Sequence, residues 1–203
     1  MRRRARSEQS RREVLDAALG LFSHQGYRAT TVRDIADTAG VSIGNVYHHF
    51  PDKEAIFRTL LDEFAAISRS RRYPFMRALT SGRFPENLEE LGVAARDSVR
   101  QFRSYIALIY VDVVEFDGTH IRNFYREMGR RYAALIEEEG ALQDLSSRLR
   151  AGVSPVSALL LTSRIFFNYF SLEILFNVPE PFGKDSMQVI REIADILRNG
   201  MLA

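Results

Sequence analysis

An all-α chain, in which a small N-terminal helix-turn-helix domain precedes a larger helical domain, is predicted by three observations. Apolar residues recur at three- and four-residue intervals through nearly all of the 203 residues, with no strand-like alternation beyond Pro85. Two short periodic segments meet at Ala39-Gly40-Val41, a turn of the length and glycine content that joins two helices at a tight corner. Positive charge is concentrated at one end: residues 1–33 hold eight arginines against Glu8, Glu13 and Asp16, a net of +5, which leaves −3 for the remaining 170.

The first helix is expected from about Arg12 to Gln25, because Val14, Leu15, Ala18, Leu19, Leu21 and Phe22 fall on one face and Gly26 follows as a C-terminal cap. Residues 1–10 ahead of it read as a basic arm that could reach a minor groove or phosphates. Thr31 begins the second helix with Asp34 three residues on, and Ser42 offers an N-cap for a short third helix from Ile43 to about Phe50. Pro51 stops that helix, and Asp52 caps a fourth whose apolar face is Ala55, Ile56, Leu60, Leu61 and Phe64. A loop is expected near Tyr73 to Pro85, followed by helical stretches of roughly 88–116, 119–150, 155–177 and 184–201. These elements divide into an arm (1–10), a helix-turn-helix domain (11–56) and a helical ligand-binding and dimerisation domain (57–203).

Composition removes several function classes. With no cysteine there is neither a disulfide framework nor a thiolate metal site, and a reducing, cytoplasmic setting is expected. The basic N-terminus lacks the unbroken apolar stretch of a secretory signal. The apolar run from Val156 to Val178 carries Arg164, Asn168, Glu173 and Asn177, so a core helix is expected rather than a membrane span. Neither a Ser-His-Asp arrangement, a phosphate-binding glycine loop nor a metal-ligand spacing is present, which argues against an enzyme, a cofactor and a metal. His48 and His49 are adjacent and diverge around a helix, a poor arrangement for one metal ion.

The stretch from Val32 to Glu54 combines an Ile35-Ala36 pair, the Gly40-Val41 turn, a small-residue third helix, the ending Tyr47-His48-His49-Phe50 and Lys53. It resembles the DNA-binding signature of the TetR family of transcriptional regulators, strongly over about Ser10 to Phe64. The resemblance implies a repressor that leaves a palindromic DNA operator when a small molecule binds, or a regulator that answers to a protein partner instead. It implies that Thr31 and Arg33 meet the DNA backbone or a nearby base edge. Ser42, Ile43, Gly44, Asn45 and His48 would face the major groove, and Tyr47, His49 and Lys53 would meet phosphates. Side-chain chemistry agrees: Lys and Tyr donate to phosphate oxygens, and Asn can pair bidentately with adenine.

The resemblance further implies a homodimer built by the last two long helices. Phe166, Phe170 and Ile174 on one and Ile190, Ile193 and Leu197 on the other are the expected interface residues. The middle helices interleave aromatic and polar groups, and Phe102, Arg103, Tyr105, Tyr110, Asp112, Glu115, Phe124, Phe167 and Tyr169 are candidates to line a small-molecule pocket. The same spacing suits a plain core with a wet outer face.

Overall fold

The computed structural model describes residues 2–138 and 144–201. Its helices are α1 (Arg2–Gln25), α2 (Val32–Ala39), α3 (Ile43–His49), α4 (Lys53–Arg69), α5 (Pro74–Leu79), α6 (Leu88–Gln101), α7 (Arg103–Phe116), α8 (Ile121–Glu138), α9 (Leu145–Arg148), α10 (Pro155–Phe170) and α11 (Ser186–Met201). They form two compact units, one from residues 1–66 and 104–122, the other from 67–103 and 123–203.

In the first unit the caps fall where the sequence places them. Thr31 and Asp34 form a reciprocal capping box at the start of α2, and Gly40 takes the left-handed conformation (φ 68°) that lets its N–H reach back to the Ala36 and Asp37 carbonyls. The Ser42 hydroxyl accepts the Asn45 N–H at 3.1 Å, and Asp52 Oδ1 accepts the Ala55 N–H at 2.6 Å. The core is closed by Leu15, Phe22, Ile35, Val46, Phe50, Ile56, Phe57 and Leu60, all essentially buried. Phe50 is thus a core aromatic, set at the extended residue that ends α3.

Two features of this unit depart from expectation. The residues read as an arm continue α1 as helix back to Arg2, aided on its exposed side by Gln9–Glu13 and Arg12–Asp16 pairs at i,i+4. Arg12 also bonds Glu63 on α4 at 2.9 Å, so this arginine links α1 to α4. The second departure is the stretch 104–122, which packs here through Phe116, whose ring lies 5.0 Å from Phe57 and 4.6 Å from Tyr27.

In the second unit α6 is central, packed against α5, α10 and α11. Its Gly92 has no room for a side chain, since a Cβ there would lie 2.8 Å from both Ile190 Cγ2 and Phe166 Cε1. The expected single helix over 88–116 is broken at Phe102, which closes α6 by donating its N–H to Ser98 O at 3.0 Å. The expected loop near 73–85 contains α5, opened by Pro74 at its first position, where the missing N–H costs nothing. Ser98 Oγ, buried, accepts the Phe75 N–H at 3.1 Å and ties α5 to α6. Beyond Phe170 the chain continues as one π-helical turn, Ser171–Leu175.

By length and composition the run Pro155–Leu175 could cross a membrane. Here its faces divide: Leu159, Phe166, Tyr169 and Phe170 are buried in the unit's own core, while Leu161 (54% exposed) and Ile165 (39%) face outward. Of the residues expected at a dimer interface, Phe166, Phe170, Ile190, Ile193 and Leu197 are buried within the single chain and Ile174 is half-buried. Within the single chain these side chains pack inward, although Ile193 and Leu197 also line a groove between α10 and α11. The strongest apolar stripe of each helix serves its own core, and the outward apolar residues include Leu161, Ile165, Met187 and Ile196.

Candidate nucleic-acid interface

Helix α3 turns two of its flanking apolar side chains inward, Val46 and Phe50, and leaves most of the rest to solvent. Ser42, Gly44, Tyr47 and His48 are exposed, and Ile43, Asn45 and His49 are half-buried. Tyr47 is 53% exposed, which rules out a core role for its ring. Around Gly44 the only atom near a hypothetical Cβ is Ser42 Oγ at 3.9 Å. Nothing inside the chain crowds a side chain at this position.

Asn45 is oriented from α1: Ser10 Oγ donates to Asn45 Oδ1 at 2.6 Å, which leaves the two amide N–H groups for another partner. The guanidinium of Arg11 lies 5.1 Å over the Phe50 ring, so α1 also covers the end of α3. Neither Ser10 nor Arg11 is visible as a site residue in the sequence, because nothing local signals a contact 35 residues away. The His48 and His49 rings meet edge to face at 5.1 Å. Burial pushes His49 below the ordinary histidine value, and His48 and Arg11 push it the same way. Among the described residues no group of three His, Cys, Asp or Glu could hold a metal ion.

Thr31 and Arg33 are exposed at the start of α2. The Thr31 hydroxyl is engaged in the capping box, donating to Asp34 Oδ2 at 2.8 Å. Those bonds hold Asp34 below the usual carboxylate range.

The Lys53 ammonium donates to the Tyr27 and Thr30 carbonyls at 2.7 and 2.6 Å and sits 4.0 Å over the Tyr27 ring. Two of its three donors are used on the loop between α1 and α2, and burial lowers its pKa. In this structure it anchors that loop.

The expected pocket residues divide between the two units. Tyr105, Asp112 and Glu115 lie in the first unit, where each is engaged internally. Tyr105 stacks on Phe64 at 5.7 Å and donates to Glu63 Oε2. Asp112, fully buried, accepts from His120 Nδ1 at 2.6 Å and from the Ile121 N–H at 2.9 Å. Glu115 accepts the Tyr27 and Arg28 N–H groups. Polar groups on an apolar helix were needed to satisfy buried donors, which the spacing alone cannot distinguish from ligand recognition. Tyr110 and Arg103 are exposed, and Phe124 stacks edge to face on Tyr125. Tyr169 is buried between Phe170 and Phe182. Phe102 and Phe167 share one neighbour, the buried Tyr73, at 5.2 and 6.1 Å.

An exposed short helix set by a glycine turn and capped by serine, inside a unit of this kind, is matched over residues 14–60 by the family model of bacterial regulatory proteins of the tetR family. It is over this domain that the chain is similar to the TetR family. Over 54 residues it is 54% identical to the transcriptional repressor KstR2 of Rhodococcus jostii, a match covering 27% of this chain and 26% of that one. Against KstR2 of Mycolicibacterium smegmatis it is 30% identical over 134 residues, 63% of each chain. The chain therefore spans from about a quarter to under two thirds of these relatives' length. The TetR-family fold itself extends further. A regulator of this family from Mesorhizobium loti superposes over 98% of this chain and 99% of its own at 20% identity, with a TM-score of 0.68. The ketosteroid transcriptional regulator KstR2 of Mycobacterium tuberculosis superposes over 95% of each chain at 23% identity, with a TM-score of 0.60.

Proposed function

We propose that this chain is a TetR-family, sequence-specific DNA-binding regulator, cytoplasmic and homodimeric, which represses transcription from a palindromic operator and is released by a small molecule. The observation that carries this is α3: a rod that buries Val46 while Tyr47, His48, Gly44 and Ser42 remain open. Nine residues form the proposed DNA surface. Ser42, Ile43, Gly44, Asn45 and His48 face base edges, Tyr47 and His49 meet phosphates, and Thr31 and Arg33 border them; Lys53 holds the loop beside them.

A second copy covers the outward stripe of α10 and α11. Between these helices runs an apolar groove of about 300 Å³, lined by Ile165, Tyr169, Leu172, Phe182, Ile196 and Leu197. A symmetric pair joined there would present two α3 rods to successive major grooves, roughly 34–36 Å apart on B-DNA. The effector would enter the second unit near Tyr73, Phe102 and Phe167. Because the relative from M. tuberculosis is named a ketosteroid regulator, steroid-class compounds are the first to screen.

The test is selection of bound duplexes from a random library by the purified full chain, followed by affinity against salt. A two-fold symmetric site is expected, with log affinity falling linearly against log salt. Failure to retain any duplex at low ionic strength would sink this function.

A further inference from the structure

The loop from Gly26 to Thr31 leads directly into the N-cap of α2, and α2 carries α3 through the Gly40 turn. Two charged side chains hold this loop from different helices. From α4, the Lys53 ammonium takes the carbonyls of Tyr27 and Thr30. From α7, the Glu115 carboxylate takes the amides: Oε1 accepts the Tyr27 N–H at 2.9 Å and Oε2 the Arg28 N–H at 2.6 Å. Arg28 answers with its guanidinium, donating to the Glu115 carbonyl at 3.2 Å. The carboxylate is only 14% exposed, whereas the Arg28 side chain is 78% exposed.

Gly26 reports independently on this contact. Its φ of +88° suits glycine, and a Cβ at this position would lie 2.6 Å from Glu115 Oε1. The absence of a side chain at residue 26 is what allows the carboxylate of residue 115 to reach the two amides behind it. The Tyr27 ring completes the seat against Phe22, Phe57 and Phe116.

We infer that Glu115 is a positioning residue for DNA recognition: by chelating the Tyr27 and Arg28 amides it sets the pose of α2 and α3 from the C-terminal end of α7. The inference rests on the DNA-binding function proposed above.

The experiment compares wild type, Glu115→Gln and Glu115→Asp on the duplex selected by wild type, on random duplex, and by amide hydrogen exchange. Gln keeps the reach but has one acceptor oxygen; Asp keeps the charge but is one methylene short. Both should lose about tenfold in affinity for the selected duplex, as expected for one charge-assisted bond. Random-duplex affinity and the salt slope should stay as in wild type, because Glu115 meets no phosphate, and exchange at Tyr27 and Arg28 should quicken. Should one variant fail to fold by circular dichroism, the other carries the comparison. Faster exchange with unchanged specific affinity overturns the inference, as does an equal loss on selected and random duplex, which is the mark of a merely structural role. If wild type itself selects no duplex, the DNA-binding function falls and this inference with it; wild-type selection with unaffected variants overturns the inference alone.

Discussion

The Lys53 ammonium lies 4.0 Å from the centroid of the Tyr27 ring while donating to that residue's own carbonyl at 2.7 Å. One side chain thus grips both the backbone and the ring of the residue that begins the loop into α2. Lys53→Ala should destabilise the folded chain by about 1.5 kcal/mol, the low end for bonds to a charged group because the site is only half-buried. Its salt slope on DNA should equal that of wild type. Denaturant melts and binding at several salt concentrations check this; a slope reduced by about one unit would return Lys53 to the phosphate contacts.

His49 should make DNA affinity depend on pH. Its folded-state pKa is lowered, so the unfolded chain takes up the proton first. The residue therefore costs stability as pH falls from the ordinary value of about 6.5 through the lowered native one, after which the cost is constant. A phosphate beside the ring favours the imidazolium, so affinity should rise as pH falls from the pKa in the complex to the lowered one of the free chain. Anisotropy titrations from about pH 8 to about pH 5 at constant ionic strength should show the rise in wild type and lose it in His49→Gln.

Asp112 satisfies two donors with no exposure of its own. Asp112→Ala should cost about 3 kcal/mol, because it strands the Ile121 N–H and the His120 ring nitrogen. Glu54 stands 3.5 Å from the other nitrogen of His120 but is 48% exposed. Glu54→Ala should therefore change stability by no more than about 0.5 kcal/mol, and thermal melts of the two variants separate the cases.

Gly92→Ala should destabilise the second unit by about 1–3 kcal/mol, since one methyl meets Ile190 and Phe166 together. Calorimetry would detect it. A neutral substitution would mean that α6 can move off α10 and α11 without cost.

Ile196 is 70% exposed, whereas Ile193, one turn before it on α11, is 7% exposed. Ile196→Glu should yield a folded monomer in sedimentation, with helicity retained and operator affinity lost. Ile193→Glu should instead unfold the chain. A dimer that survives Ile196→Glu places the interface elsewhere.

Much of the first unit was legible in the sequence because its signals are local. Thr31 with Asp34, Gly40, Ser42 and Pro51 each act within three or four residues, and each caps or stops a helix where the sequence places it. The exposed α3 positions follow from the same pattern once Val46 and Phe50 are assigned to the core. The candidate pocket was illegible for the opposite reason. Asp112 and Glu115 look like orienting groups on an apolar helix, and their partners, His120 and the loop at Tyr27, are fixed only by folding.

The sequence by itself determined the all-α class, the two-helix turn and the rod after it, since hydrogen-bonding caps and 3.6-residue periodicity are properties of neighbouring residues. Only the tertiary structure decided which stripe of α10 and α11 is core and which is outward, that Lys53 faces a loop, and that Glu115 reaches Tyr27 from 88 residues away. A helix apolar on several sides offers more than one face for burial, and a charged side chain takes whichever partners close packing sets beside it.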